Sequence, residues 1–541
     1  MSKIAASATA ERSDARPSIS PAAVVPPLWR AGLLAPDLVG ALTGAALWWG
    51  PTLAASYSAA ALRHPFRTAL VDDHGRLTYI QLATRTDRVA AALRSRGLGA
   101  GAPIGVLCRN HRGFVEATIA LAKIGARPIY LNTGLAAGQL ASVVGRERLE
   151  SVICDREFVE AMTEAAPHVE LVVAAPEDDA GWSFPDLARR KILLRMPSPG
   201  TASDPVILTS GTTGVPKGAQ RSARSSMLPA LAGLLAAMPL RRGDRFLVAA
   251  PLFHAWGLSQ MTMAASLAGT LVLRRRFDPR RVLDDAVRHG VDVLVVVPTM
   301  LVRMLDVDGA APLADVRVVA SSGGPLVGDI ATAWMDVHGD TLYNLYGSTE
   351  VGQVAIAGPA DLRRAPGCAG VAPLGVELRI VDDAGADVEP GTVGRIVVRS
   401  GSHFDGYTEG GTKPIVDGFM DIGDTGSIDR YGLLHVVGRS DDMIVTGGEN
   451  VYPQPIEDVL VRHDDVVDAA IVGVADDDLG QRIVAHVVRR PGSRVKASTL
   501  RAHCRANLAA HEVPRSIEFC DELPRNATGK VLRGDLSAAA R

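Results

Sequence analysis

The residues whose types and spacing could do chemistry fall in a few short stretches. VILTSGTTGVPKG, from Val206 to Gly218, crowds glycines, hydroxyl residues, one Pro and one Lys behind an apolar run. Gly and Pro both disfavour the interior of a helix or strand, so this is a loop. Backbone N–H groups in such a turn point outward and, with Ser and Thr hydroxyls, can cradle phosphate oxygens. It is not the common nucleotide loop G-x-x-x-x-G-K-[ST], because Gly218 follows Lys217. Taken alone, it reads equally well as a surface linker. Further on, LYNLYGSTEVG (342–352) offers an aromatic, a hydroxyl pair and a carboxylate at a strand end. FMDIGDTGSID (419–429) sets Asp424 between glycines. VVGRSDDMIVTGGENVYPQPIE spans 436–457, and LPRNATGK (523–530) puts Lys530 in a polar turn. GLGAGA (97–102) matches a dinucleotide fingerprint loosely, but it follows a helix and precedes a strand, the reverse of what that site needs.

The elements that must position these stretches alternate. TALVDD, a turn and LTYI read as a hairpin, and residues 80 to 96 carry helical spacing that stops at Gly97. IGVLC (104–108) and PIYL read as strands around the helix FVEATIALAKIG, with another helix from about Ala136. FLVAA (246–250), TLVLR (270–274), VDVLVVV (291–297), VRVVA (316–320) and TLYNLY (341–346) are apolar strands separated by helix-length segments. Such strands predict a parallel sheet covered on both faces. Residues 376 to 437 turn into short strands joined by turns, a small β subdomain. After GRSDD (438–442) a compact pattern of helix, two strands, helix and strand runs to the end. The fold class is therefore α/β: a large N-terminal domain of parallel-sheet layers with a β subdomain, then a small C-terminal α+β unit. The divisions fall at 1–65, 66–438 and 439–541.

At 541 residues the chain exceeds what one hydrophobic core supports. A net charge of −2 with mixed signs lacks the basic stripe that nucleic acid demands. Five scattered cysteines without a C-x-x-C pair suit a reducing interior, each as a small apolar residue. No secretory signal is expected, which points to the cytoplasm. Residues 38 to 62 carry no charge. A membrane-surface helix is the first reading of that stretch, a helix packed on the main domain the second, and a true span the third, since Pro51 and small residues weaken it.

Together, in this order, the motifs resemble the adenylate-forming superfamily of acyl-CoA synthetases, luciferases and peptide-synthetase adenylation domains. The resemblance runs from about Arg67 to the C-terminus. PLFHAWG, GENVYP and PRNATGK look most like bacterial fatty-acyl-CoA synthetases. It implies that ATP activates a carboxylic acid as an acyl-adenylate, that coenzyme A then displaces AMP, and that a C-terminal lid rotates between the two steps. By that resemblance Thr209, Ser210, Gly211, Thr212, Thr213, Gly214 and Lys217 hold the outer phosphates. Tyr346 stacks on adenine, with Asn344, Gly347, Gly323 and Gly324 completing the nucleotide set. Thr349 reaches the α-phosphate, Glu350 holds Mg²⁺, and Asp424 with Arg439 takes the ribose. Asp441 occupies the hinge, Gly447 and Gly448 approach the pantetheine arm, and Lys530 neutralises charge growing at the reacting oxygens.

The acid pocket implied by the resemblance is lined by His254, Ala255, Trp256, Gly257, Gly323, Gly324 and Gly347, small residues that leave room for a chain. His254 stands where peptide-synthetase domains carry an Asp for the substrate ammonium, so amino acids are disfavoured. A medium- or long-chain fatty acid is the expected substrate, with an aryl-CoA ligase, a fatty-acyl-AMP ligase and an idle lipid-binding scaffold as alternatives. No carrier-protein segment follows Arg541, which counts against a synthetase module. Oligomeric state stays open, a homodimer being one option. Two departures stand out: FMDIGD lacks the aromatic-Thr lead-in common before the ribose Asp, and IVTGG lacks the Lys many relatives place after the hinge, which puts the CoA contact in question.

Overall fold

The computed structural model describes residues 20–174, 198–200, 204–209, 217–220, 227–446, 449–476, 478–525 and 531–539. Among these, three sheets precede Ser440 and a fourth follows it. The first sheet runs, edge to edge, through Gly352–Ala357, Leu342–Ser348, Val318–Ser321, Val293–Val296, Arg245–Val248, Thr270–Leu273, Thr68–Asp72 and Gly75–Thr78. Its interior strands are parallel and only the two outer pairings are antiparallel. The second sheet runs through Gly406–Tyr407, Lys217–Gln220, Val206–Thr209, Arg127–Tyr130, Pro103–Leu107, Ser151–Cys154 and Glu170–Val173. Continuous apolar runs such as VLVV make interior strands because both faces are covered, and every residue of Val293–Val296 is buried.

What covers them is one core shared by both sheets. The helix Arg112–Ile124 is buried along almost its whole length, so it lies between layers and not on a surface. Its Phe114, Val115 and Ile119 cluster with Leu70, Phe246 and Val248 of the first sheet and with Ile104 and Val106 of the second. The two sheets thus share one core through this helix.

Three expectations are corrected here. LTYI is not a strand throughout: the strand ends at Thr78, whose hydroxyl accepts from Gln81 N–H while the Gln81 side chain accepts from Thr78 N–H. That capping box starts the helix Tyr79–Ser95. The uncharged stretch is not one long helix but two, Pro36–Trp49 and Leu53–Arg63, broken at Gly50 and Pro51 and pinned at their far ends by an Asp37–Arg63 ion pair. Leu53–Arg63 buries Ala54, Ala55, Tyr57 and Ala60 in the shared core, the packed-helix outcome. Pro36–Trp49 leaves Leu47 exposed on its outer side. No helix among the described residues is long and apolar enough to cross a membrane. Finally, the strands Ser151–Cys154 and Glu170–Val173 extend the second sheet although no strand is expected there.

The β subdomain is an antiparallel sheet of Val376–Val381, Gly394–Ser400, Phe419–Ile428, Ile415–Val416 and Leu434–Arg439. The fourth sheet, Glu449–Val451, Ile444–Thr446, Gly480–Arg489, Val466–Asp476 and Ser516–Cys520, has its own core of Ile456, Leu460, Ile471, Val487 and Leu500.

Candidate active site

Three strands from different places bring the nucleotide residues together. Asp424 and Arg439 are opposite each other in the antiparallel pair Phe419–Ile428 and Leu434–Arg439. Arg439 Nη1 lies 3.6 Å from Asp424 Oδ1, and its Nη2 reaches Asp441 Oδ2 at 3.4 Å. Tyr346, near the end of Leu342–Ser348, donates its hydroxyl to Asp424 Oδ2. Burial first, and the Asp424 carboxylate second, push the Tyr346 phenol well above its ordinary pKa, so it stays a donor. Arg439 stays firmly protonated: burial pulls its pKa down, but Asp424, Asp441 and Asp442 raise it by more. Gly423, with φ of +80°, sits where a Cβ would come 3.3 Å from Arg439 Nη2, so the guanidinium approaches the backbone at a residue without a side chain.

The stretch expected to hold the phosphates is flanked by an antiparallel strand pair. Thr209 ends the strand Val206–Thr209 and pairs with Lys217, the first residue of Lys217–Gln220. Lys217 therefore stands on a strand and not within the loop, and a strand intervenes before the helix Met227–Ala237. Ser210, Gly211, Thr212, Thr213 and Gly214 lie outside the described residues. Lys217 Nζ is 5.6 Å from the centre of the Tyr407 ring, and Tyr407 donates its hydroxyl to Glu350 Oε1 at 2.8 Å. Burial and then the Glu350 charge hold the Tyr407 phenol protonated. Tyr407 is the residue that sequence reasoning missed. Its strand, Gly406–Tyr407, has two residues, too short to be seen by periodicity, yet it pairs with Lys217–Gln220 through Ala219. Behind the hairpin, buried Glu147 accepts from Thr408 Oγ1 at 2.7 Å, and both would be struck by a side chain at Gly218. Glu350 and Thr349 occupy the turn between Leu342–Ser348 and Gly352–Ala357, both half-buried.

The donor set at Glu350 suits Mg²⁺. That ion takes one or two carboxylates and completes its shell with phosphate oxygens and water. Tyr407 engages one Glu350 oxygen and orients the group without supplying a second carboxylate. Among the described residues the one cluster of three possible ligands is elsewhere, at Cys108, His111 and Asp155. Both ring nitrogens of His111 are already used there, Nδ1 by Gly113 N–H at 2.9 Å and Nε2 by Asp155 at 2.7 Å.

The acid-side residues follow the strand Arg245–Val248. His254 precedes the helix Ala255–Ser266, its ring 4.5 Å from that of Phe253. Burial depresses its pKa to about 4, so it is neutral near pH 7. Trp256 Nε1 donates to Val296 O at 2.9 Å, and Gly323 and Gly324 face Val297 and Pro298 across about the same edge. Both glycines are exposed. Two other glycines are small for a different reason. A Cβ at Gly257 would meet Pro251 O at 2.2 Å, and one at Gly347 would meet Gly352 O at 2.1 Å, where the strand pairing shifts register. They permit close backbone approach and do not make room for substrate. Asn344 is also corrected: it is buried and its amide donates to Cys368 O at 2.9 Å, a tie within the fold. A second tie was missed. Buried Asn110, leaving the second sheet after Pro103–Leu107, donates to Ala250 O at 2.8 Å and Val248 O at 3.3 Å, and accepts from Leu252 N–H at 2.8 Å. Its signal, an Asn at a strand exit, is too common to notice in sequence.

On the C-terminal side, Asp441 lies in the single turn Ser440–Asp442 with its side chain exposed. Gly447, Gly448 and Lys530 fall outside the described residues. The flanks of 526–530 are pinned by a bridge between Arg525 and Val531, by Arg525 Nη2 on Asp468 at 2.6 Å, and by Arg533 on Glu457 and Ile471 O.

This arrangement has clear relatives. The AMP-binding enzyme family matches residues 57–408, and its C-terminal domain family matches 455–530. The chain belongs to the AMP-binding enzyme family, the adenylate-forming superfamily its motifs resemble. It is 33% identical over 482 residues to a feruloyl-CoA synthase of an Amycolatopsis species, covering 87% of this chain and 96% of that one. An indoleacetate–CoA ligase of Aromatoleum aromaticum is 33% identical, covering 87% and 95%. Among solved structures, the O-succinylbenzoate coenzyme A synthetase of Bacillus subtilis in complex with ATP and magnesium superposes with a TM-score of 0.79 at 27% identity, covering 89% and 98%.

Proposed function

We propose that this enzyme is an AMP-forming acid–CoA ligase whose acid is aromatic. The observation that carries the reading is the convergence of Tyr346, Asp424 and Arg439 with Glu350, Tyr407 and Lys217. Asp424 and Arg439 hold the ribose, Tyr346 lies flat against the base, and Lys217 with the 210–214 loop takes the outer phosphates. A carboxylate oxygen of the acid attacks the α-phosphorus, the bond to the bridging oxygen breaks, and pyrophosphate leaves. The coenzyme A thiol, losing its proton, then attacks the acyl carbon and AMP leaves. Mg²⁺ bound at Glu350 supplies positive charge against the phosphates. Tyr407 keeps that carboxylate aimed, and Thr349 is assigned to the α-phosphate.

A fatty acid fits less well than an aryl acid. The relatives above are named for ferulate, indoleacetate and succinylbenzoate, each with a ring next to or near the carboxyl-bearing arm. Trp256, held by Val296 O, offers such a ring a flat wall. Pyrophosphate release with Mg·ATP, screened over benzoates, cinnamates, arylacetates and alkanoates from acetate to oleate, with and without CoA, tests this. Aromatic acids should dominate, and AMP should appear only when CoA is added. Dominance of long alkanoates would overturn the substrate assignment, and pyrophosphate release without CoA-dependent AMP release would make the enzyme an acyl-AMP ligase. Lys530→Ala should lower adenylate formation by roughly 10²–10³-fold, the cost of one preorganised charge donor. Thioester formation from supplied acyl-adenylate should change far less.

A further inference from the structure

One end of the N-terminal helices gathers positive charge and exposed apolar side chains together. The helix Pro21–Arg30 finishes in exposed Trp29 and Arg30, and the turn after it meets the loop 241–243, where Arg242 N–H donates to Ala31 O at 3.1 Å. Across that loop lies the end of Leu53–Arg63: a Cβ at Gly243 would stand 3.2 Å from Arg67 Nη1. Burial, and then the charges of Arg67, Arg63 and Arg242, lower the pKa of His64, so three guanidiniums act on one imidazole. Arg63 is paired with Asp37 through Nη2, while its Nε and Nη1, like His64 Nε2, are buried without a hydrogen-bond partner among the described residues. Arg241 and Arg242 are exposed. Asp37 is the exposed carboxylate paired here, and nearby Asp244 is buried and held by Arg317. Arg30, Arg63, Arg67, Arg241 and Arg242 therefore leave this end positive. Its solvent side is also apolar: Trp29 is 72% exposed, Leu62 75% and Phe66 85%. Ile80, whose N–H donates to Pro65 O at 3.0 Å, is exposed beside Phe66. Single exposed hydrophobic residues are ordinary, but four large ones around one basic cluster mark an interaction surface.

We propose that this end of the molecule is a docking surface for an anionic lipid bilayer, reversibly bound. Aromatic side chains such as Trp29 and Phe66 settle at the level of the headgroups, and the guanidiniums meet the lipid phosphates. Each basic group near an anionic leaflet strengthens such binding about fivefold. Leu53–Arg63 keeps its alanines in the core, so the contact comes from residues around its end and not from a helix laid in the lipid. A second copy of the chain is the poorer occupant: a two-fold interface would set this cluster of guanidiniums against its own copy. Trp29 and Arg30 also precede residue 57, where the family match begins, so the surface draws on a part of the chain outside that match. The proposal is independent of which acid the enzyme activates.

The test is co-sedimentation of the full chain with vesicles of phosphatidylcholine alone, or of phosphatidylcholine mixed with phosphatidylglycerol, at about 50 mM and about 500 mM salt. Wild type should pellet with the anionic vesicles at low salt and be released from them at high salt. It should bind the neutral vesicles at least about tenfold more weakly. Arg241→Gln combined with Arg242→Gln should lower the partition coefficient about 30-fold, at about fivefold for each group lost. Trp29→Ser combined with Phe66→Ser should lower it at least about tenfold, through the apolar area no longer buried. Both double variants change exposed side chains, so melting temperature and pyrophosphate release without vesicles should match wild type. Failure to pellet with anionic vesicles, equal binding to neutral ones, or an unchanged partition in either double variant overturns the proposal. Sedimentation velocity without lipid addresses the rival occupant. A dimer that Trp29→Ser with Phe66→Ser dissolves would make this face an interface between copies and overturn the lipid assignment. None of these outcomes touches the acid–CoA ligase reading.

Discussion

At the scale of residues, the site depends on neutral groups holding charged ones. Tyr407 is the case sequence did not reveal: its hydroxyl aims Glu350 and its ring lies under Lys217. Tyr407→Phe should raise KM for Mg·ATP about tenfold, about 1.4 kcal/mol, which is the scale of one hydrogen bond to a charged acceptor. KM for the acid should not move, and initial-rate kinetics with each substrate varied would check it. His254 makes a prediction about pH. Its folded pKa, about 4, lies below the unfolded value near 6.5, so the unfolded chain takes a proton that the folded chain refuses. The contribution is fully present above pH 6.5 and is lost as pH falls toward 4. By pH 4.5 it should cost roughly 2–3 kcal/mol. Urea midpoints at pH 7 and 4.5 should therefore differ less in His254→Phe than in wild type. The roles expected of Asp424, Arg439 and Tyr346 came from the resemblance to the adenylate-forming superfamily, and the fold brings these three side chains together. Asn344 was misread because sequence cannot say which way a side chain on a strand points, and here it points at Cys368 O.

At the scale of elements, the strand pair ending at Thr209 and Lys217 belongs to one sheet and the segment carrying His254 follows a strand of the other, so their separation depends on what ties the sheets. Asn110 is such a tie, with its amide bound to Val248, Ala250 and Leu252. Asn110→Ala leaves those backbone groups unpaired at about 1–3 kcal/mol each, so a loss of at least about 2 kcal/mol is expected. Amide exchange should rise at 250–254, and an unchanged exchange pattern there would contradict the role. The elements themselves were largely readable. Long apolar strands alternating with amphipathic helices were placed within a few residues, as at Arg245–Val248 and Arg112–Ile124. The failures were local: two- to four-residue strands such as Gly406–Tyr407 and Lys217–Gln220 exist through their partners and not through their own pattern.

At the scale of the whole molecule, the Ser440–Asp442 turn joins the β subdomain to the fourth sheet, and we place the hinge at Asp441. A proline there fixes φ and removes the rotation a hinge needs. Asp441→Pro should stop thioester formation and spare pyrophosphate release, and normal CoA turnover in that variant would refute the hinge. The residues on either side of 526–530 are tied to the fourth sheet and its helix, Arg525 to Asp468 and Arg533 to Glu457.

What depends on neighbours along the chain was already written in the amino-acid order: the α/β alternation and the family that the motifs identify. Such features follow from backbone preference and periodicity, which act over a few residues. The folded chain alone decided which distant groups meet: Tyr346 with Asp424, Tyr407 with Glu350, and Asn110 with the Ala250 carbonyl. It also decided that Gln260 is buried with its amide unpaired among the described residues. Those outcomes depend on the packing of two sheets and a subdomain around shared cores, and no periodicity encodes a partner a hundred residues away.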